Sequence, residues 1–286
     1  MAILNKDNTM MKYIRCAVVA LMFAPAGGAA QDLGAGLSAA QTGDYATALQ
    51  EWRPLAEQGY ARAQFNLGFM YATGRGVTQD HAEAVRWYRL AAEQGLSTAQ
   101  NNLGSMYRKG QGVDQDDAKA VRWYRMAAEQ GLAVAQTNLS GMYDNGIGVS
   151  ENNAEAVRWG RMAAEQGHAN AQASLADFYY EGRGVSQDYT EASQWLQMAA
   201  QQEHAIAQNN LGYMYLEGHG VPQNFVTAHM WFNIAAANGV KNAAELRDDV
   251  TNRMTADDIS EAQRRASVCM ESGYRDCGLG RSWWPW

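Results

Sequence analysis

The sequence predicts an all-α fold, a solenoid of helix-turn-helix repeats with a period of 36 residues. Three observations point there. Trp87, Trp123, Trp159, Trp195 and Trp231 recur at that interval. Around each stands one pattern: Ala-Gln-x-x-Leu, a Tyr, Gly-x-Gly-Val, an Asp or Asn, then Ala-x-x-Trp. Apolar positions inside each copy follow helical spacing. Self-similarity at a fixed period of this length marks stacked units, each too small to bury its own apolar face.

The first 30 residues stand outside the repeats. Lys6, Lys12 and Arg15 precede an apolar run from Cys16 to Pro25 and the small residues Ala26-Gly27-Gly28-Ala29-Ala30. That order reads as a secretory signal peptide over residues 1–30, cut before Gln31, with a cut after Ala26 as the second choice. The run is shorter than the roughly 20 apolar residues that cross a bilayer. Residues 31–59 read as a truncated N-terminal capping repeat, Gly34 to Gln41 and Tyr45 to Gln58, with Pro54 interrupting the end of its second helix. Residues 60–239 carry the five full repeats. Residues 240–278 read as capping helices, Asn242–Arg253 and a second starting at Thr255, where Asp258 completes a capping pattern. In an exported protein Cys269 and Cys277 are expected to form a disulfide. Residues 279–286 are a tail rich in Trp.

Within a repeat, Ala61, Ala63, Leu67, Met70 and Tyr71 define helix A, and Gly74 supplies the left-handed residue that ends it. Gly76 gives the loop a second permissive position and Val77 pins it to the core. Helix B starts behind Asp80, matched by Asp116, Asn152, Asp188 and Asn224, whose side-chain oxygens can cap a helix. Glu83, Glu155 and Glu191 at the third helical position make capping-box patterns. Ala84, Trp87, Ala91 and Ala92 form the buried face. Gly59, Gly95, Gly131, Gly167 and Gly239 break the chain before the next helix; Glu203 occupies the same place in one repeat, which predicts a strained or rearranged turn.

These segments, Ala-Gln-x-x-Leu-Gly-x-x-Tyr, Gly-x-Gly-Val and Ala-x-x-Trp-Tyr-x-x-Ala-Ala-x-x-Gly, resemble the Sel-1-like repeat (SLR), a relative of the tetratricopeptide repeat. The resemblance covers the five full repeats and both degenerate ends. It implies a right-handed α-solenoid acting as an adaptor that holds protein complexes together. Exported bacterial members are linked to envelope signalling, exopolysaccharide control and host contact, and a cysteine-rich subgroup to β-lactams. The repeats here contain no cysteine, which argues against that last association.

Where the repeats differ is informative. One stripe along helix A carries Arg62, Phe65, Phe69 and Ala72, then Thr98, Asn101, Ser105 and Arg108, then Val134, Thr137, Gly141 and Asp144. Asn170, Ala173, Asp177 and Tyr180 follow, and Ile206, Asn209, Tyr213 and Leu216 complete it. Near-constant residues flank the stripe, so packing does not dictate it. Helix A lines the concave face in solenoids of this type, the usual binding surface. The expected partner-binding residues are Arg62, Phe65, Phe69, Asn101, Ser105, Arg108, Thr137, Asp144, Asp177, Tyr180, Asn209, Tyr213 and Leu216, with exposed Phe65, Phe69, Tyr180 and Tyr213 as hot spots.

Other columns carry two readings each. The Trp column reads as core rather than a ligand cage. Arg86/Arg89, Arg122/Arg125 and Arg158/Arg161 form either a basic stripe for anions or a solvated face paired with nearby Glu. Asn66, Asn102, Asn138 and Asn210, with Ser174 as the exception, either bond a bound peptide backbone or tie down the loop of the adjacent repeat. Trp283, Trp284 and Trp286 either fold onto the end repeat or dock a partner.

Composition excludes some classes. With 30 acidic against 23 basic residues and a formal charge of −7, the chain is poorly suited to neutralising phosphates, so no nucleic-acid partner is expected. His81, His168, His204, His219 and His229 show no metal-ligand spacing, and no nucleophile or phosphate-loop motif occurs. The expectation is a non-catalytic periplasmic scaffold, monomeric, with no metal, no cofactor and no stable membrane insertion after signal cleavage. It binds a protein or peptide in its groove. Alternatives are a secreted host-contact factor and, less favoured, a β-lactam or cell-wall hydrolase.

Overall fold

A computed structural model describes residues 26–278; residues 1–25 of the expected signal peptide and the tail from 279 lie outside the described residues. Fourteen α-helices and no strand occur among them, a solenoid-like helical repeat fold. Two compact units divide at Gln94.

The first unit holds α1 (Ala26–Gln41), α2 (Tyr45–Glu57), α3 (Ala61–Thr73) and α4 (His81–Glu93). α1 starts eight residues before Gly34, inside the segment read as a leader. α2 carries Pro54 inside it and still ends at Glu57, its last turn held by Gln58 N–H on the Pro54 carbonyl at 3.1 Å. Ala48, Trp52, Leu55, Leu67, Met70 and Trp87 make its core.

The second unit holds α5 (Ser97–Lys109), α6 (Asp117–Glu129), α7 (Ala133–Asp144), α8 (Asn153–Glu165), α9 (Ala169–Glu181), α10 (Tyr189–Ala200), α11 (Ala205–Glu217), α12 (Phe225–Ala237), α13 (Ala243–Thr251) and α14 (Ala256–Glu271). Odd-numbered α5 to α11 are A helices and even-numbered α6 to α12 are B helices; each packs on its neighbours in order, and α13 and α14 both close over α12. A disulfide joins Cys269 to Cys277. No described helix is long and apolar enough to cross a membrane.

Local chemistry explains the boundaries. Gly110, Gly182 and Gly218 end their A helices in the left-handed region. The second loop glycine has a further reason: a Cβ on Gly184 would lie 2.3 Å from the Asn153 carbonyl at the start of the preceding B helix. The loop thus rests directly on the neighbouring backbone. Asp116, Asn152, Asp188 and Asn224 each accept a backbone N–H at the start of their B helix. The expected reciprocal bonds to Glu83, Glu155 and Glu191 do not form, because the Asp80, Asn152 and Asp188 N–H groups donate instead to the Tyr71, Tyr143 and Tyr179 carbonyls at 2.9 Å; Glu83 and Glu155 chelate Arg86 and Arg158. The complete capping box is at Thr255 and Asp258.

Glu203 takes φ 65°, the left-handed conformation that Gly131 and Gly167 hold at 86°. His204 N–H still reaches the Ala199 carbonyl at 3.2 Å, as Leu132 reaches Ala127. The turn is strained, not rearranged.

Candidate functional site

The stripe residues sit on the A helices as expected, but not all face solvent. In the first unit Arg62 is exposed and Phe69 is 37 % exposed, with the Arg75 guanidinium 5.3 Å above its ring. Arg75 also lies 5.6 Å from the Tyr45 ring, and a cleft of about 240 Å³ opens between Leu37, Tyr45, Trp52, Phe69 and Arg75. Phe65, expected exposed, is half-buried with its ring 5.7 Å from that of Tyr88, since its position turns toward helix B.

In the second unit much of the stripe beyond its first position is tied down. Asn138 donates to Asn101 at 2.9 Å and Asn101 donates to Asn102 at 3.3 Å, so part of the Asn column links adjacent A helices. Ser105 bonds the Tyr124 hydroxyl, whose acidity is weakened by burial. Arg108 pairs with Asp117 at 3.4 Å. Thr137 donates to the Ala133 carbonyl at 2.9 Å and meets His168 Nδ1 at 3.0 Å. Leu216 is half-buried against the cluster of Ala228, Phe232 and Val250. The Asn209 Oδ1 is buried without a hydrogen-bond partner.

The exposed part comprises the first stripe positions, Thr98, Val134, Asn170 and Ile206, and the C-terminal halves of α9 and α11. Tyr213 is 43 % exposed. Tyr180 is half-buried, its hydroxyl bonded to His219 Nδ1 at 3.1 Å and its ring 5.0 Å from that of Tyr189. Tyr189 stacks on His219 at 4.7 Å and 9°, and Gln187 donates to its hydroxyl at 3.1 Å. Arg183 forms ion pairs with Asp144 and Glu181. Asp177 lies among them, its carboxyl pushed up to about 6 by the surrounding protein and by Glu181 and Asp144, against the opposing charge of Arg183. Its surface remains exposed, so solvent screening trims the size of that shift; its direction stands on the adjacent carboxylates. The Tyr180 hydroxyl is likewise raised, by burial first and then by Tyr189, Tyr213 and Glu217.

The other columns resolve differently. Trp87, Trp159 and Trp231 are core, while Trp123 and Trp195 are half-buried. Arg125 and Arg161 donate to Tyr143 and Tyr179 hydroxyls at 2.6 and 2.5 Å. With Arg86 and Arg158 held by Glu83 and Glu155, four members of the basic stripe are already engaged.

One column escaped the sequence reading. Gln64, Gln100, Gln136, Gln172 and Gln208 are buried, and each accepts a bond at 2.7 to 2.8 Å from the side chain 30 residues onward. Gln136, Gln172 and Gln208 also donate at 3.1 Å to the last turn of the preceding B helix. The signal was a polar residue kept constant at a core position.

No group of three or more His, Cys, Asp and Glu residues able to hold a metal occurs among the described residues. A profile of the Sel1 repeat matches residues 61–96, 97–132, 133–168, 169–204 and 205–240. The structure is similar to that of a protective antigen with an SLR fold from uropathogenic Escherichia coli, with TM-score 0.76 and 34 % identity over 88 % of this chain. This chain spans 55 % of that antigen's length. It is also similar to a Sel1 repeat protein from Oxalobacter formigenes, with TM-score 0.73 and 32 % identity over 82 % of this chain and 94 % of that one. No curated protein matches the chain.

Proposed function

Because the chain belongs to the Sel1 repeat family, whose members are in general scaffolds for protein interactions, we propose that it is an exported adaptor. It would bind a protein or peptide partner on its A-helix faces, without catalysis. The observation that carries this reading is the exposure of Phe69 and Tyr213, aromatic side chains at equivalent positions of different repeats. Large rings held in solvent on rigid helices lose little conformational entropy on binding, which suits them as anchors. The signal-peptide pattern and the disulfide support a periplasmic setting. Similarity to an antigen of a pathogen favours a second reading, secretion and contact with a host, through the same surface.

The test is in-cell crosslinking from the envelope fraction, wild type against Phe69→Ala/Tyr213→Ala. A partner captured by the wild type and lost in the variant is expected; a partner retained overturns the reading. Fractionation with N-terminal sequencing tests export: a chain starting at Gln31 outside the cytoplasm is expected.

A further inference from the structure

The ends of α9 and α11 combine two chemistries in one place. Tyr189 stacks on His219 and Tyr180 packs against both rings at a tilt, a shelf fixed by the Tyr180–His219 and Gln187–Tyr189 hydrogen bonds, and Tyr213 stands 43 % exposed nearby. Around it lie the carboxylates of Asp144, Asp177, Glu181 and Glu217. Arg183 answers Asp144 and Glu181. Asp177 and Glu217 have no ion-pair partner among the described residues.

We infer that this shelf docks a segment of a partner protein that presents Lys or Arg beside apolar residues. This rests on the adaptor reading above and specifies the partner's chemistry. The charge complementarity is direct: a Lys or Arg stem lies flat along the aromatic faces while its cationic head reaches the carboxylates at the rim. Carboxylates crowded together repel one another, and an incoming cation removes that repulsion, so this rim discriminates against acidic partners. A second copy of the chain is a poor occupant, because the chain carries a formal charge of −7. The apolar component has its own footing in exposed Tyr213 and in Ile206, which is 61 % exposed at the other end of α11.

The experiment is fluorescence anisotropy with three short fluorescein-labelled peptides, built of Lys-Leu-Gly, Gln-Leu-Gly and Glu-Leu-Gly repeats. The full-length mature protein should bind the Lys peptide about tenfold tighter than the Gln peptide, and the Glu peptide more weakly still. Asp177→Asn/Glu181→Gln should lose about tenfold for the Lys peptide alone. Tyr213→Ala should weaken the Lys and Gln peptides together. The control Glu129→Gln/Glu165→Gln removes the same charge from exposed B-helix positions of the same unit and should change affinity by less than about twofold. Equal binding of the three peptides, no binding of the Lys peptide, or an equal loss in the control overturns the inference. The two readings fail separately: a natural partner lost in Phe69→Ala/Tyr213→Ala while the three peptides bind alike leaves the adaptor reading standing and removes the cationic specificity, whereas a partner retained in that variant while the Lys peptide still binds selectively overturns the adaptor reading alone.

Discussion

Gln166 donates its side-chain amide to the buried side-chain oxygen of Gln136 at 2.7 Å, while Gln136 donates to the Ala128 carbonyl at 3.1 Å. One amide thus joins the ends of two successive B helices, α6 and α8. A buried polar group that satisfies both its donor and its acceptor contributes modestly while intact and is costly to break. Gln136→Ala should destabilise by about 2–4 kcal/mol, through lost packing and an orphaned carbonyl. Gln166→Ala, at an exposed position, should cost about 1 kcal/mol. Urea melts of both single variants and the double variant check this; additive losses would show that the pair is uncoupled.

Two glycines of the second unit make opposite predictions. Gly141 lies inside α7 with open space where a Cβ would go, so Gly141→Ala should stabilise by about 0.5–1 kcal/mol. Gly184 holds φ 67° and rests on the Asn153 carbonyl. Gly184→Ala should therefore destabilise by about 2 kcal/mol or more. Thermal denaturation compared in one buffer separates the two signs.

Relief of the Glu203 backbone should be measurable. Glu203→Gly removes a left-handed cost of about 1–2 kcal/mol and adds back some unfolded-chain entropy, so a net gain near 1 kcal/mol is expected. An unchanged urea midpoint would count against strain at this turn.

Asp177 makes stability depend on pH in a defined direction. Its carboxyl, raised to about 6, holds a proton more tightly in the fold than in the unfolded chain. Between about pH 4 and 6 the native state therefore binds more protons, and this group's contribution to stability falls as pH rises through that window. Asp177→Asn should be more stable than wild type at pH 7, with the gap closing toward pH 4. A gap that stays constant with pH would exclude Asp177 as its source.

Reduction of the Cys269–Cys277 bond should act at the end of the amide column. Tyr274, inside the disulfide loop, bonds Asn238 at 2.9 Å, and Asn238 donates to Gln208 at 2.8 Å. Loss of so short a loop closure is worth about 2–3 kcal/mol. Hydrogen exchange under reducing conditions should show lost protection in α13 and α14 before α5 to α9.

The sequence by itself determined the helices, their caps, the glycine-closed loops and the period, because each depends on residues a few positions apart along one helix or loop. It also placed the variable stripe on the A helices. Only the tertiary structure decided which stripe residues are free. Thr137 meets His168, Asn138 meets Asn101 and Tyr180 meets His219 across separations of 31, 37 and 39 residues. Helical spacing places such residues on a face without stating what the next repeat brings against it. For the same reason Phe65 and Leu216 turned out half-buried, Arg125 and Arg161 turned to tyrosines, and the Gln column emerged as the polar link between successive repeats.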